Sequence, residues 1–485
     1  MGILSKKTVF KRFIPQYFFI IEQKLTPSPN YSKIMKTVFK NLFLLVLVTM
    51  LFVSCNTEEL FIEPITEVVE DDTDINAEDT EDIVEDTEDL TIGPCEFNLD
   101  NVEPNSTILI NCIMDLQGQT INLPANVTIA YEGGDIINGT LNFSEGGIIG
   151  GELLNATLIL SGSTLQLKDT SFDFLPERWG IVEGVTTSDI ALENNRILET
   201  IMFLTKTLGV TTFKIDEIDA YFEGSRITST VTNANYYPHI EAVNIPSDFN
   251  LVMTDNTHLR IQPATSATEE LDNGAIFSIR DESNVTVTGG NLYGDRDVRY
   301  FSPNNDGNEG SHLFYIKAAV NITLDGIKFF DGSKGGLNIS SLGFTYQPDY
   351  KPTSNVRILN CEFKNNRRMA VSLTDGRNVL FEGNSFIDTA LPSSHSTGGV
   401  VGYAVNIEAT RFRDDNNEIV EYEKVTDVVF RGNTERGSRG GSISVHIGQN
   451  VIIEDNDLET KVSYTYTNGT KIINNRFVGK GESYA

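Results

Sequence analysis

One repeated pattern narrows the possible folds more than anything else in the chain. An Asn begins an alternating apolar run and is followed, eight positions on, by an apolar or aromatic residue. The pairs are Asn284/Leu292, Asn321/Phe329, Asn355/Phe363, Asn378/Phe386 and Asn450/Leu458, with a weaker copy starting at Asp427. The interval from Asn355 to Asn378 is about one coil of a three-strand solenoid, and the longer intervals imply loops inserted between strands. Stacked coils of this kind bury Val, Ile, Leu and Phe and leave Asn and Gly at the turns. An antiparallel sandwich or propeller would not give such in-line register. The pattern therefore predicts an all-β, right-handed parallel β-helix over 95–485, with a β-rich N-terminal portion at 95–180 and the main coils at 181–485. One stretch breaks the β rhythm. Residues 188–204 carry apolar side chains at helical spacing behind Ser188 or Asp189 as N-cap, which predicts one amphipathic helix near the end cap.

The six residues Leu175-Pro176-Glu177-Arg178-Trp179-Gly180, then that helix, then the coils, resemble the right-handed parallel β-helix proteins of the pectate-lyase-like type. Carbohydrate-active bacterial enzymes and phage tailspikes share that layout. The resemblance covers roughly residues 170–485. The usual Gly-Asp-Gly-Val-Thr-Asp is here Val182-Glu183-Gly184-Val185-Thr186-Thr187, a degraded match. It implies a fold and a broad carbohydrate connection, and carries over no substrate.

A second set of strands precedes the Asn runs and aligns as Phe277-Ser278-Ile279-Arg280, Phe314-Tyr315-Ile316-Lys317, Leu337-Asn338-Ile339-Ser340, Val371-Ser372-Leu373-Thr374, Val405-Asn406-Ile407-Glu408 and Ile443-Ser444-Val445-His446. Side chains alternate faces along a strand, so the first and third positions point inward. The fourth positions then form an outward column: Arg280, Lys317, Ser340, Thr374, Glu408, His446. Turns before these strands add His312, Lys334, Arg367, Arg368, Tyr403 and Arg439, and turns after them add Asp375 and Arg411. The insert after Asn291 supplies Asp295, Arg296, Asp297, Asp306 and Glu309.

Basic residues gathered on one face of an acidic chain predict a groove for an anionic glycan, sulfated or uronic, with Arg280, Lys317, Arg367, Arg368, Tyr403 and Arg411 as binding residues. The alternative is a solvated face whose charges pair with one another. Glu408 is the first choice for proton transfer, with His312, His446 and Asp375 as further catalytic candidates. Glycoside hydrolysis needs a second carboxyl group, from Asp375, Asp297, Glu309 or Asp331. Elimination on a uronate instead needs a base such as His312, Tyr403 or His446 beside positive charge, which Arg367 and Arg368 could supply. Hydrolysis is the preferred expectation, a lyase the close alternative, and a non-catalytic glycan-binding or adhesive surface protein the rival from another class. No cofactor is required by these routes. Residues 304–309 offer oxygen ligands suited to calcium but lack the EF-hand spacing.

Location is read from the N-terminal region. The run 42–53, behind Lys36 and Lys40 and ahead of Ser54-Cys55, has the order of a lipoprotein signal and is short for a spanning helix. The residues that follow, Asn56-Thr57-Glu58-Glu59, resemble the acidic export tag of surface lipoproteins in gram-negative Bacteroidetes. Met35 just ahead of the signal marks residues 1–34 as an upstream mis-start and 35–55 as the signal. Residues 56–94 then form an acidic tether, with sixteen acidic residues and no Lys or Arg between positions 58 and 89. The expected product is an outer-membrane lipoprotein, lipidated at Cys55, facing the exterior or released, and monomeric. The net charge of −31 gives nucleic acid no basic surface. Outside the cytoplasm Cys95 and Cys112 are candidates for a disulfide, while Cys361 reads as a small buried residue. There is no zinc spacing and no Gly-x-Ser-x-Gly elbow.

Overall fold

The computed structural model describes residues 92–224, 243–265, 274–301 and 310–479. The signal and lipidation expectations at Cys55, nearly all of the acidic tether, and Asp306, Glu309 and the calcium-like loop lie outside the described residues. Within them the chain is a right-handed parallel β-helix whose coils are built from three parallel sheets. One full coil is Val320–Asp325, Lys328–Phe330 and Gly335–Ser340, and the next is Ser354–Leu359, Glu362–Lys364 and Met369–Leu373. They stack in register, with Ile322 beside Val356, Phe329 beside Phe363 and Leu337 beside Val371.

The repeated Asn is explained by backbone geometry and by a side-chain ladder. Asn284, Asn321, Asn355 and Asn378 have φ of 58°, 61°, 56° and 55°. That left-handed conformation suits Asn better than branched residues. Each carboxamide also donates to the side chain one coil earlier, at 2.8 Å (Asn284 to Asp248), 2.9 Å (Asn321 to Asn284), 3.0 Å (Asn355 to Asn321) and 2.9 Å (Asn378 to Asn355). A second, buried ladder passes through Asn384, Asn433, Asn456 and Asn475 at a different turn, which satisfies polar groups that burial would otherwise penalise. The residues eight positions on form the core. Phe329 and Phe363 stack at 4.5 Å, and Phe363 and Phe386 at 5.1 Å.

The weaker repeat at Asp427 places Glu435 where its neighbours have Phe, beside Phe386. Burial alone would raise the pKa of this carboxyl. Hydrogen bonds from Ser442, Ser438 and Thr460 outweigh it and hold the group below the usual glutamate value. Cys361 is buried, and burial pushes its thiol up to about 12. A disulfide joins Cys95 to Cys112.

The helix runs Ser188–Thr207, three residues beyond the span read from periodicity, with Thr187 accepting from the Ile190 amide as N-cap. Strands from Thr107–Ile110 to Ser171–Phe174 precede it in the chain, so it is an insertion between coils. Buried Asn194 and Asn195 pin it by bonding the backbone of Val182, Tyr221 and Glu223. Among the described residues no helix is long and apolar enough to cross a membrane.

Candidate functional site

The sheet carrying the outward columns is walled by connections on both sides. Short turns at 331–334 and 365–368 lead into its strands. Residues 341–353 and 409–424 lead out, the latter folded as an antiparallel hairpin of Arg411–Arg413 with Ile419–Glu421. Between the walls lies a cleft of about 350 Å³. It crosses five neighbouring strands, from His312–Lys317 to Gly441–Glu454, so at the usual strand spacing its floor is ~19 Å long. Asn338, Ser340, Ser372, Thr374 and Asn406 provide a floor of small polar side chains.

The end nearer the N-terminus holds His312, Tyr315, Lys334 and Arg368. The His312 and Tyr315 rings meet edge to face at 5.4 Å. Gly335 makes room for the imidazole, because a Cβ there would stand 2.8 Å from His312 Nδ1 and 2.6 Å from the Met369 carbonyl. His312 is 2% exposed and its Nδ1 has no hydrogen-bond partner. Burial first, and then the charges of Lys334 and Arg368, lower its pKa well below the ordinary histidine value. It is a neutral imidazole held beside two cations.

The other end holds Glu408, Arg411 and His446. Glu408 is exposed and accepts from Asn406 Nδ2 at 2.9 Å. The Arg411 guanidinium lies 4.4 Å over the Tyr466 ring, and His446 Nδ1 is 2.8 Å from Thr465 Oγ1. A register shift between Ile407 and Glu408 pairs Glu408 with Ile447, so the fourth-position column is broken at the step to His446. Three strand steps and five residues along the strand separate His312 from Glu408. Their backbones are therefore ~20 Å apart, at opposite corners of the cleft.

Several expected site residues lie elsewhere. Asp375 is fully buried, accepting from the Tyr350 hydroxyl at 2.6 Å and the Lys424 amide at 2.9 Å, and it does not line the cleft. Burial is the main cause raising its pKa to about 6, against which Tyr350 and Lys424 act. Lys317 stands beside the floor residue Ser340 but is 2% exposed, and burial lowers its pKa to about 7. Arg280 turns back to Ser278 Oγ. Arg367 is anchored by Ser396 Oγ at 2.7 Å and stacks over Phe301 at 3.9 Å. The Tyr403 hydroxyl accepts from Ser463. Asp297 sits 3.8 Å from Arg296, and Asp331 is half-buried with a pKa raised by burial. None of these seven lines the cleft. Glu408 is thus its one carboxylate among the described residues. Tyr315, a second-position residue of an aligned strand, went unrecognised as a site residue although strand alternation points it outward.

No family model matches the chain. The uncharacterized protein YclG of Bacillus subtilis (strain 168) is 24% identical over 235 residues, covering 48% of this chain and 38% of that protein. The chain spans well under half the length of the curated relatives it matches. Among solved structures, PfbA, a surface adhesin of Streptococcus pneumoniae, is 14% identical with a TM-score of 0.33, over 75% of this chain and 85% of that one. The family 28 exopolygalacturonase of Yersinia enterocolitica is 12% identical with a TM-score of 0.26, over 79% of this chain and 74% of that one.

Proposed function

We propose that the protein degrades an anionic, uronate-containing polysaccharide, and that it does so by β-elimination at the His312 end of the cleft. One observation carries this reading: a neutral imidazole, a phenol and two cations converge on one corner of the cleft. Arg368 and Lys334 would hold the uronate carboxylate and stabilise the enolate-like charge that develops as the neighbouring C5 proton leaves. His312 takes that proton. The C4–O bond then breaks, a C4=C5 double bond forms, and the Tyr315 hydroxyl protonates the departing oxygen. A floor ~19 Å long seats about four sugar residues.

We favour elimination over the hydrolysis expected from sequence because of where the carboxylates lie. Two-carboxylate hydrolysis needs carboxyl groups within ~10 Å of each other, and the nearest expected partner of Glu408 in sequence, Asp375, is buried away from the cleft. In this reading Glu408 and Arg411 bind sugar residues distant from the scissile bond. We further propose an extracytoplasmic site of action with a lipid anchor at Cys55, a setting that the Cys95–Cys112 disulfide suits.

The test is incubation with polygalacturonate, alginate and chondroitin sulfate, following reducing ends and the ultraviolet absorbance of the new double bond. Both signals are expected, and His312→Ala should lower kcat by about 10²–10⁴-fold with a smaller change in KM. The rate should persist below the ordinary histidine pKa, because the base form of His312 survives there. Reducing ends without the absorbance, lost in Glu408→Gln, would establish hydrolysis instead. Binding with neither signal would make the protein a glycan-binding adhesin.

A further inference from the structure

A larger cavity, of about 590 Å³, opens among the first coils, where they meet Arg178 and Trp179. It lies at least two coil rises, ~10 Å, along the axis from the coil that carries His312, counted from Lys214 in its wall. Its chemistry differs from that of the cleft. Asp135 is paired with Arg178 at 2.9 Å and Asp173 with Lys214 at 3.3 Å. Glu152 and Asp169 also line it, are exposed, and make no ion pair among the described residues. The wall is therefore net negative. Beside these carboxylates stand Tyr131 and Leu175, 44% and 45% exposed, which is high for large apolar groups gathered round one hollow. Ser171 Oγ, also in the wall, is out of solvent and without a hydrogen-bond partner.

Exposed ring and aliphatic surface beside free carboxylates matches a pyranose. Its C–H face packs on apolar groups while its rim hydroxyls donate to carboxylate oxygens and to a hydroxyl such as Ser171 Oγ. The negative wall repels sulfate and uronate groups. We propose that this cavity binds an uncharged oligosaccharide, as a second saccharide site with the opposite charge preference from the cleft. The disulfide sets its rim, since Ile113 follows Cys112 and a Cβ on the lining Gly134 would collide with the Cys112 backbone at 2.4 Å.

The chain has one tryptophan, and it is in this wall. Fluorescence of Trp179, with calorimetry in parallel, therefore reports on this cavity directly. The full chain is titrated with hexaoses of glucose, xylose and mannose, with hexagalacturonate, and with spermidine. A saturable response to at least one neutral hexaose and none to hexagalacturonate is expected. Tyr131→Ala should weaken it about tenfold, and Glu152→Gln with Asp169→Asn should weaken it further while circular dichroism stays at the parent value. His312→Ala should leave it unchanged, which separates this site from the function proposed for the cleft. No saturable heat or fluorescence change with any neutral hexaose overturns the proposal. So does a response confined to spermidine or to hexagalacturonate, or one indifferent to both sets of wall substitutions.

Discussion

Replacing Asp375 with Asn should stabilise the protein at neutral pH and leave cleavage intact. The carboxyl is fully buried, one oxygen accepts from Tyr350 and the Lys424 amide, and the other has no hydrogen-bond partner. Its pKa is raised from 3.8 to about 6, so the folded state holds the proton more tightly than the unfolded chain does. The sign follows from linkage. Stability from this group is greatest below pH ~4, falls as pH rises to ~6, and is flat above that. About two pKa units at ~1.4 kcal/mol each make the ionised form ~3 kcal/mol less favourable at pH 8. The amide keeps the acceptor facing Tyr350 and Lys424, and its NH₂ takes the place of the unpartnered oxygen. Leaving that NH₂ unsatisfied returns part of the gain, so the expected net is ~1–3 kcal/mol. With an unfolding entropy of ~2.1 cal/mol/K per residue over ~390 residues, Tm should rise by roughly 1–4 °C. Calorimetric melts of parent and Asp375→Asn between pH 4 and 8 provide the assay. The difference should be near zero at pH 4 and reach its plateau above pH 7. A variant less stable at pH 8, or a difference that ignores pH, refutes the reasoning. A folded variant that no longer cleaves would return Asp375 to the chemistry.

Two further outcomes test the packing. Phe363→Ala removes a fully buried ring lying between Phe329 and Phe386, and should cost ~3–5 kcal/mol in urea titrations; a loss under 1 kcal/mol would mean the Phe stack is not the core of these coils. Cys95→Ser with Cys112→Ser opens a loop of sequence separation 17 and should cost ~3 kcal/mol, seen as earlier proteolysis of the first coils; unchanged cleavage kinetics there would show that the disulfide is not what secures them.

The fold was legible because its determinants are local and repeat. A left-handed Asn that also bonds the Asn one coil earlier leaves a mark at every turn, and the aromatic eight positions on is its packing consequence. The inward positions followed from strand alternation, and Ile279, Ile316, Ile339, Leu373, Ile407 and Val445 are all buried. The site was less legible because the connections decide which outward residues meet solvent. Tyr350 and Lys424, both from loops, seal Asp375. Phe301 and Ser396 claim Arg367. Lys317 stands in the outward column yet ends up 2% exposed. Nor does alternation reveal the register shift after Ile407, since it depends on how two coils fit rather than on either strand alone.

A net charge of −31 and a cationic cleft are compatible because a solenoid spreads its surface along one axis. Each coil touches only its neighbours, so one coil's outward residues can change without repacking coils farther away. Charges at physiological ionic strength are screened over ~8 Å. The negative cavity near Trp179 is at least ~10 Å along the axis from the coil bearing His312, more than one screening length, so its field is weakened before it reaches Lys334 and Arg368. The β-helix would thus let the two proposed saccharide sites keep opposite charge preferences on one rigid axis. A smaller compact domain would place those fields within a screening length of each other.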